Sequence, residues 1–334
     1  MTRKFLSVTA FILSVLLILP VLSSCTRLSS TKEESETVLT VGEYEVPYEL
    51  YRYLALNFRR DYPDAAEEEL REKVLSALLD MYAVIAAAKD YGIAPEDDYF
   101  EEAADNAVQL AMDEAGGKSE YKKELEESYM NDSVFRFLTK QNAVNDELYY
   151  AMVNSGDIDD SAENVQKLAL GDGFVCVKQV LITSEESVFS GEFYYKPAQT
   201  HTREEAAAIA HKVREKALAG EDFDTLVRDF GESLYMMQNT DGYYVCRGMW
   251  EDVNENAVFS LPENGISEVV ESKAGFSVFK RFEKNAAYIE KNIDTLCENY
   301  GRALFTLYIE EKRDTLTVKT GEKYDSVSII QMEY

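Results

Sequence analysis

From Pro47 to about Val153 the chain recurs at helical spacing and offers no convincing strand. That stretch argues against a fold built from repeated β-α-β units, and so against a solute-binding architecture of that kind. Tyr48, Tyr51, Leu54 and Phe58 open the pattern behind Pro47, a residue suited to a first helical position. Leu70, Val74, Leu78, Met81 and Ile85 then share one face of a helix over 65–91, which Gly92 ends as a C-cap. Further helices are expected over Asp97–Ala115, Ser119–Tyr129 and Ser133–Val153, and a short one within 154–173. The sequence returns to a long amphipathic helix over Ala286–Leu316, marked by Ile289, Ile293, Leu296, Tyr300, Leu304 and Leu307.

Residues 174–283 have a different character. Phe174–Thr183 is β-rich. Thr202 and Glu205 form a capping box at the start of a helix that ends before Gly220. A helix over Phe223–Phe230 follows, then β-rich Tyr243–Cys246, a short helical segment and β-rich Phe276–Phe282. Strands are also expected at Val38–Val46, with a turn at Gly42, and at Tyr324–Met332. A lone terminal strand needs a partner, so the two ends are expected to pair. The reading is an α+β chain with a discontinuous, mainly helical domain (37–170 plus 284–334) and an inserted α+β domain at 171–283.

The N-terminus bears on the compartment. Arg3 and Lys4 precede an apolar run from Phe5 to Leu22, and Leu22-Ser23-Ser24-Cys25 resembles a bacterial lipobox. Residues 1–24 are expected to be a lipoprotein signal peptide, Cys25 the lipidated residue, and 25–36 a polar tether. An uncleaved membrane anchor is the alternative, since about 18 apolar residues just span a bilayer. Either reading puts the remainder outside the cytoplasmic membrane. There are 34 basic and 62 acidic residues, a net charge of −28, which disfavours nucleic acid as a partner. Loss of 1–24, with two bases and no acid, takes −28 to −30. Only two histidines, His201 and His211, are present, so a His-rich metal centre is excluded and no cofactor is expected. The acidic Asp157–Asp160 stretch lacks the glycine and terminal glutamate of a calcium loop.

The middle unit resembles a parvulin-type peptidyl-prolyl isomerase domain, and the whole layout is similar to extracytoplasmic foldases of the PrsA and SurA type. The resemblance rests on Lys216–Phe223 (KALAGEDF), Asp241-Gly242-Tyr243-Tyr244 with Arg247-Gly248-Met249, Phe259-Ser260-Leu261 with Asn264–Val270 (NGISEVV), and Ala274–Lys280 (AGFSVFK), in the family's order. It implies catalysis of X-Pro cis/trans isomerisation. In this sequence the two family histidines fall on Gln179 and Ser277, and the Cys/Asp position on Glu232 or Ser233. The pocket Met is kept as Met249. The pocket Phe falls on Val253 or Asn254, with Trp250, Phe259 and Phe276 as neighbouring apolar candidates. His201 and His211 are assigned to the first helix region and are not expected to substitute.

The resemblance therefore implies a lipid-anchored foldase that binds unfolded secreted chains and isomerises X-Pro bonds weakly. A parvulin-like holdase or envelope scaffold without isomerase activity is the alternative, and a solute-binding lipoprotein a more distant one. Whether the unit is an enzyme stays open on sequence. The expected partners are unfolded polypeptides and, through the lipid, the membrane; a homodimer is left open. Phe189, Phe193, Tyr194 and Tyr195 form either a peptide-binding lip or a cover over the sheet. That loop has Lys196 as its only base, which argues against phosphate reading. Cys176 and Cys246 both lie in β-rich stretches, and sequence spacing does not decide whether they pair.

Overall fold

Two short antiparallel sheets organise the chain, one in each of two units. The computed structural model describes residues 36–185, 187 and 201–333. The expected signal peptide, Cys25, all but the last residue of the tether and the aromatic loop residues Phe189 to Tyr195 lie outside the described residues. Among the described residues, one unit comprises 36–157 with 308–333 and the other 158–307. The inserted unit thus starts before, and ends after, the 171–283 range read from the sequence.

In the discontinuous unit, β1 (Thr37–Val41) and β2 (Tyr44–Pro47) form a hairpin. The turn needs a left-handed residue, and Gly42 supplies it at φ +59°. Four longer helices follow: α1 (Tyr48–Asp61), α2 (Glu67–Asp90), α3 (Asp98–Ala115) and, after the shorter α4 (Lys118–Glu127), α5 (Asp132–Ser155). The stripe Leu70, Val74, Leu78, Met81 and Ile85 is buried, as its spacing required. Asn131 caps α5 by accepting from the Val134 N–H at 2.9 Å.

The C-terminal segment departs from expectation. The strand that pairs with β1 is Val318–Thr320, in register Leu39↔Thr320 to Val41↔Val318. Residues Tyr324–Met332 are not a strand: Glu322–Ser326 is helical, 329–331 form a turn and the rest is irregular. Their backbone groups are satisfied by side chains from α1 and α2. Arg59 Nη1 donates to the carbonyls of Ile329 (2.8 Å), Ile330 (2.9 Å) and Met332 (2.7 Å). Arg71 donates to the carbonyls of Tyr324 and Val327 and lies over the Tyr324 ring. Glu67 accepts from the N–H groups of Ile329 (2.9 Å) and Ile330 (3.0 Å), from Ser328 Oγ (3.1 Å) and from Arg71 Nε (3.1 Å). An apolar alternation reads as a strand, yet side-chain donors can satisfy backbone carbonyls as well as a ladder does.

The 158–307 unit opens with α6 (Ala162–Leu170), capped by Ser161. Then come β3 (Val175–Ile182), α7 (Arg203–Leu218), α8 (Phe223–Phe230), α9 (Leu234–Gln238), β4 (Tyr243–Val245), α10 (Asp252–Ser260), β5 (Val270–Ser272) and β6 (Gly275–Phe282). The expected long helix over 286–316 breaks at Asn292 into α11 (Ala286–Lys291) and α12 (Ile293–Thr315). β7 (Val318–Thr320) and α13 (Glu322–Ser326) complete the chain in the other unit. The four-stranded sheet has the order β4-β3-β6-β5, all antiparallel. Val180, Ile182, Phe276 and Val278 on one face pack on Ala206, Ala210 and Val213 of α7 and on Phe223, Leu226 and Val227 of α8. Thr202 and Glu205 form the expected capping box of α7. Val175, Val177 and Phe279 point to the opposite face, with Val245, Val258 and Val270. Cys176 and Cys246 are buried and free, without a disulfide.

Several bonds fix the Glu67 carboxyl. Burial works to raise its pKa, but the N–H groups of Ile330 and Ile329, the Ser328 hydroxyl and Arg71 outweigh it and hold it below 4.5. A depressed carboxyl contributes stability above its unfolded pKa and loses it as pH falls through the folded value. Glu67→Gln is expected to lower unfolding stability by about 1–3 kcal/mol at neutral pH. The deficit should shrink below pH 4.5 in urea titrations followed by far-UV circular dichroism. A pH-independent deficit would contradict this account.

Candidate functional site

The face of the 158–307 sheet away from α7 and α8 carries two facing polar side chains. In the β3–β6 register Gln179 is opposite Phe279, and Ser277 opposite Leu181. Alternation sends Gln179, Ser277 and Phe279 to the same side. Gln179 Nε2 donates to Ser277 Oγ at 2.8 Å, across the strands. Ser277 is fully buried, and Gln179 is half-buried. Aromatic rings flank this pair. Trp250 stacks on Phe279 with centroids 5.8 Å apart, Tyr243 meets Trp250 edge-on at 5.2 Å, and Tyr235 stacks on Tyr243 at 4.9 Å.

The turn between β4 and α10 supplies the rest of the wall. Gly248 sits at φ +88°, and a Cβ there would fall 2.6 Å from the Ala303 carbonyl oxygen of α12. Met249 Sδ accepts from the Cys246 N–H at 3.3 Å, and Met249 packs between the cluster under Phe279 and the one under Cys176. Glu255 Oε1 accepts from the Trp250 N–H at 2.9 Å. The Arg247 guanidinium lies over the Phe259 ring at 4.2 Å. Burial, reinforced by the Glu255 carboxylate, pushes the Cys246 thiol up to about 12, so this cysteine is a thiol and a poor nucleophile. Burial raises Cys176 as well.

Beside this face, Glu232 ties three segments together. Its N–H donates to the Leu181 carbonyl at 2.9 Å, and Leu181 is the register partner of Ser277. Glu232 Oε2 accepts from the Thr183 N–H (2.7 Å) and Thr183 Oγ1 (2.5 Å), and Oε1 lies 3.1 Å from His201 Nε2. This corrects the sequence reading of His201. It precedes the Thr202 cap, stands outside α7 and meets Glu232, whereas His211 is exposed on α7. The capping box itself was the signal, because the residue before an N-cap is not helical. Ser233 is buried; its hydroxyl caps α9 by accepting from the Met236 N–H (3.3 Å) and lies 3.5 Å from Tyr243 Oη.

Of the expected residues, Gln179, Ser277, Met249, Trp250 and Phe259 border this face or its turn, and Glu232 and Ser233 lie beside it. Phe276 does not join them. Its side chain belongs to the opposite cluster with Val180, Ile182 and Val278, because residues next to each other on a strand face opposite sides. Val253 is on the outside of α10, 44% exposed. Its neighbour Asn254, the other residue read for the pocket Phe position, buries an Oδ1 that has no hydrogen-bond partner among the described residues. Sequence reasoning missed Tyr235, Tyr243 and Phe279. Tyr243 and Phe279 could have been found from strand alternation alone. Among the described residues no cluster of His, Cys, Asp or Glu is suited to a metal ion.

Residues 192–283 match the model of the PPIC-type PPIase domain, the rotamase family. This part of the chain is a PPIC-type PPIase domain. The match ends at the last residues of β6 and contains the 246–250 turn and all of α10. Among solved structures, the chain is similar to the peptidyl-prolyl isomerase ESS1 of Candida albicans. The identity is 20% over 42% of this chain and 76% of that one, with a TM-score of 0.31. It is similar to PrsA of Bacillus anthracis at 17% identity over 70% of this chain and 96% of that one, with a TM-score of 0.33. It is similar to a SurA-like chaperone of Campylobacter jejuni at 12% identity over 86% and 99%, with a TM-score of 0.31. No curated protein matches the sequence.

The Gln179–Ser277 bond, which joins a residue before the matched range to one within it, gives a direct test of this geometry. Removing either partner leaves the other half-satisfied on a buried face. Gln179→Leu and Ser277→Ala should each destabilise the chain, and the double variant should cost less than the sum. The coupling energy expected from a double-mutant cycle in urea is about 0.5–1.5 kcal/mol. Strict additivity would show that the two side chains do not bond in solution.

Proposed function

We propose that this chain is an extracytoplasmic foldase that binds unfolded polypeptides and isomerises their X-Pro bonds, weakly, at the Gln179–Trp250 face. The juxtaposition of a polar pair with an aromatic and Met-lined wall, in a PPIC-type domain, carries the reading. The reaction breaks no covalent bond. Its barrier is the ~18–20 kcal/mol loss of amide resonance. An apolar wall of Met249, Trp250 and Phe259 would hold the proline ring and strip water from the amide, which favours the less polar twisted state. The Gln179 amide and the Ser277 hydroxyl are the hydrogen-bonding groups on hand for the peptide carbonyl.

The same pair limits the rate. Gln179 Nε2 is already engaged by Ser277, and Ser277 is fully buried. Each donor withheld from the twisted amide costs about 1–3 kcal/mol, roughly tenfold to a hundredfold in rate. That observation favours a second reading, in which the domain binds proline-containing segments without turning them over. Glu232, Ser233 and His201 would then act as structural ties, since Glu232 and His201 bond each other and Glu232 also bonds Thr183.

The reading includes an address. The apolar leader, with Leu22-Ser23-Ser24-Cys25 at its end, supports export and lipidation at Cys25. A net charge of −28 supports basic rather than acidic clients and keeps copies of the chain apart. Lipid labelling in bacteria should tag the wild-type chain and leave Cys25→Ser unlabelled and longer by the uncleaved leader. Equal labelling of both would remove the lipoprotein reading.

The activity is tested with a panel of X-Pro peptides in a protease-coupled or NMR exchange assay. The chain should exceed the uncatalysed rate, and Met249→Ala should lower kcat/KM about tenfold by opening the pocket wall. Background rates from a folded wild-type chain that still binds the peptides would establish the second reading.

A further inference from the structure

Glu255 is the only buried carboxylate among the described residues, 3% exposed, and the isomerisation chemistry above has no use for it. It stands in the first turns of α10 and points back at the preceding loop. Oε1 accepts the Trp250 N–H at 2.9 Å. Oε2 faces Arg247 Nη1 at 3.8 Å. Arg247 in turn donates to Asn256 Oδ1 at 2.9 Å and covers the Phe259 ring at 4.2 Å. One carboxylate therefore connects the loop that carries Met249 and Trp250 to the helix that carries Phe259. Burying a charge is costly unless hydrogen bonds and a counter-ion offset it. An apolar residue would pack here at lower cost, so the polar choice calls for a reason beyond packing.

We propose that Glu255 is a positioning residue: it fixes the stance of Trp250 against Phe279 and, through Arg247, that of Phe259, and so sets the shape of the proline pocket. The inference rests on the pocket reading given above, but its first test does not. Trp250 is the only tryptophan in the chain, so its fluorescence reports this loop without labelling. In the ligand-free full chain, Glu255→Met keeps the side-chain length and removes the acceptor. Its Trp250 emission should shift to the red and acrylamide quenching should rise roughly twofold. Glu255→Gln keeps an oxygen for the Trp250 N–H and should restore both signals. In peptide assays Glu255→Met should raise KM about tenfold with a smaller change in kcat, the mark of a misplaced wall rather than a lost reacting group.

Wild-type quenching in a folded Glu255→Met chain, or a Glu255→Gln chain as perturbed as the Met variant, would overturn the proposal. Should Glu255→Met not fold, Glu255→Gln decides: an unperturbed Trp250 supports the role and a perturbed one refutes it. If the wild-type chain neither binds nor turns over X-Pro peptides, the pocket reading fails. The quenching comparison still decides whether Glu255 fixes Trp250.

Discussion

The seven-position antiparallel register between β3 and β6, from Cys176↔Phe282 to Ile182↔Phe276, is the constraint on which the 158–307 unit depends. Once that register is set, alternation leaves no freedom over which side chains meet the helices and which meet the site. Val180, Ile182, Phe276 and Val278 go to α7 and α8. Gln179, Ser277 and Phe279 go to the opposite face, where a cross-strand bond and a chain of stacked rings form. A slip of one residue would turn one strand over, either burying Gln179 under α7 or turning Phe276 and Val278 away from it. The apolar faces of α7 and α8 therefore help to hold the polar pair in place from the other side of the sheet.

Much of this was legible from sequence because the signals are local. Helical spacing in 65–91 identified the buried stripe of α2, and Thr202 with Glu205 fixed the start of α7. The positions matched to the family histidines, Gln179 and Ser277, turned out to bond each other, a pairing that sequence spacing alone does not state. Phe276 was misread because it was grouped by nearness along the chain, when the pleat makes nearest neighbours diverge. His201 was misread by being counted into a helix whose own cap excluded it.

The C-terminal segment was illegible for a different reason. Its apolar, β-branched residues suit a strand, and nothing within it says otherwise. What decides its conformation is a set of donors and one acceptor more than 250 positions away in sequence: Arg59, Arg71 and Glu67. Such bonds leave no periodicity. Glu255 is of the same kind. Its position in the first turns of a helix looks like an ordinary acidic residue near a positive helix end, and only burial beside Trp250 sets it apart.

The outer strands of both sheets are very short: four residues in β2 and three each in β4, β5 and β7. Among the described residues, each outermost strand is thus too short to offer another chain a long row of backbone groups. The residues after β7, which could have lengthened that border, are instead taken up by arginine side chains. On the function proposed above, unfolded polypeptides would thereby meet side-chain surfaces rather than main-chain ones. Short borders of this kind would let such a client be bound and released without being recruited as an extra strand, the difference between assisting folding and seeding aggregation.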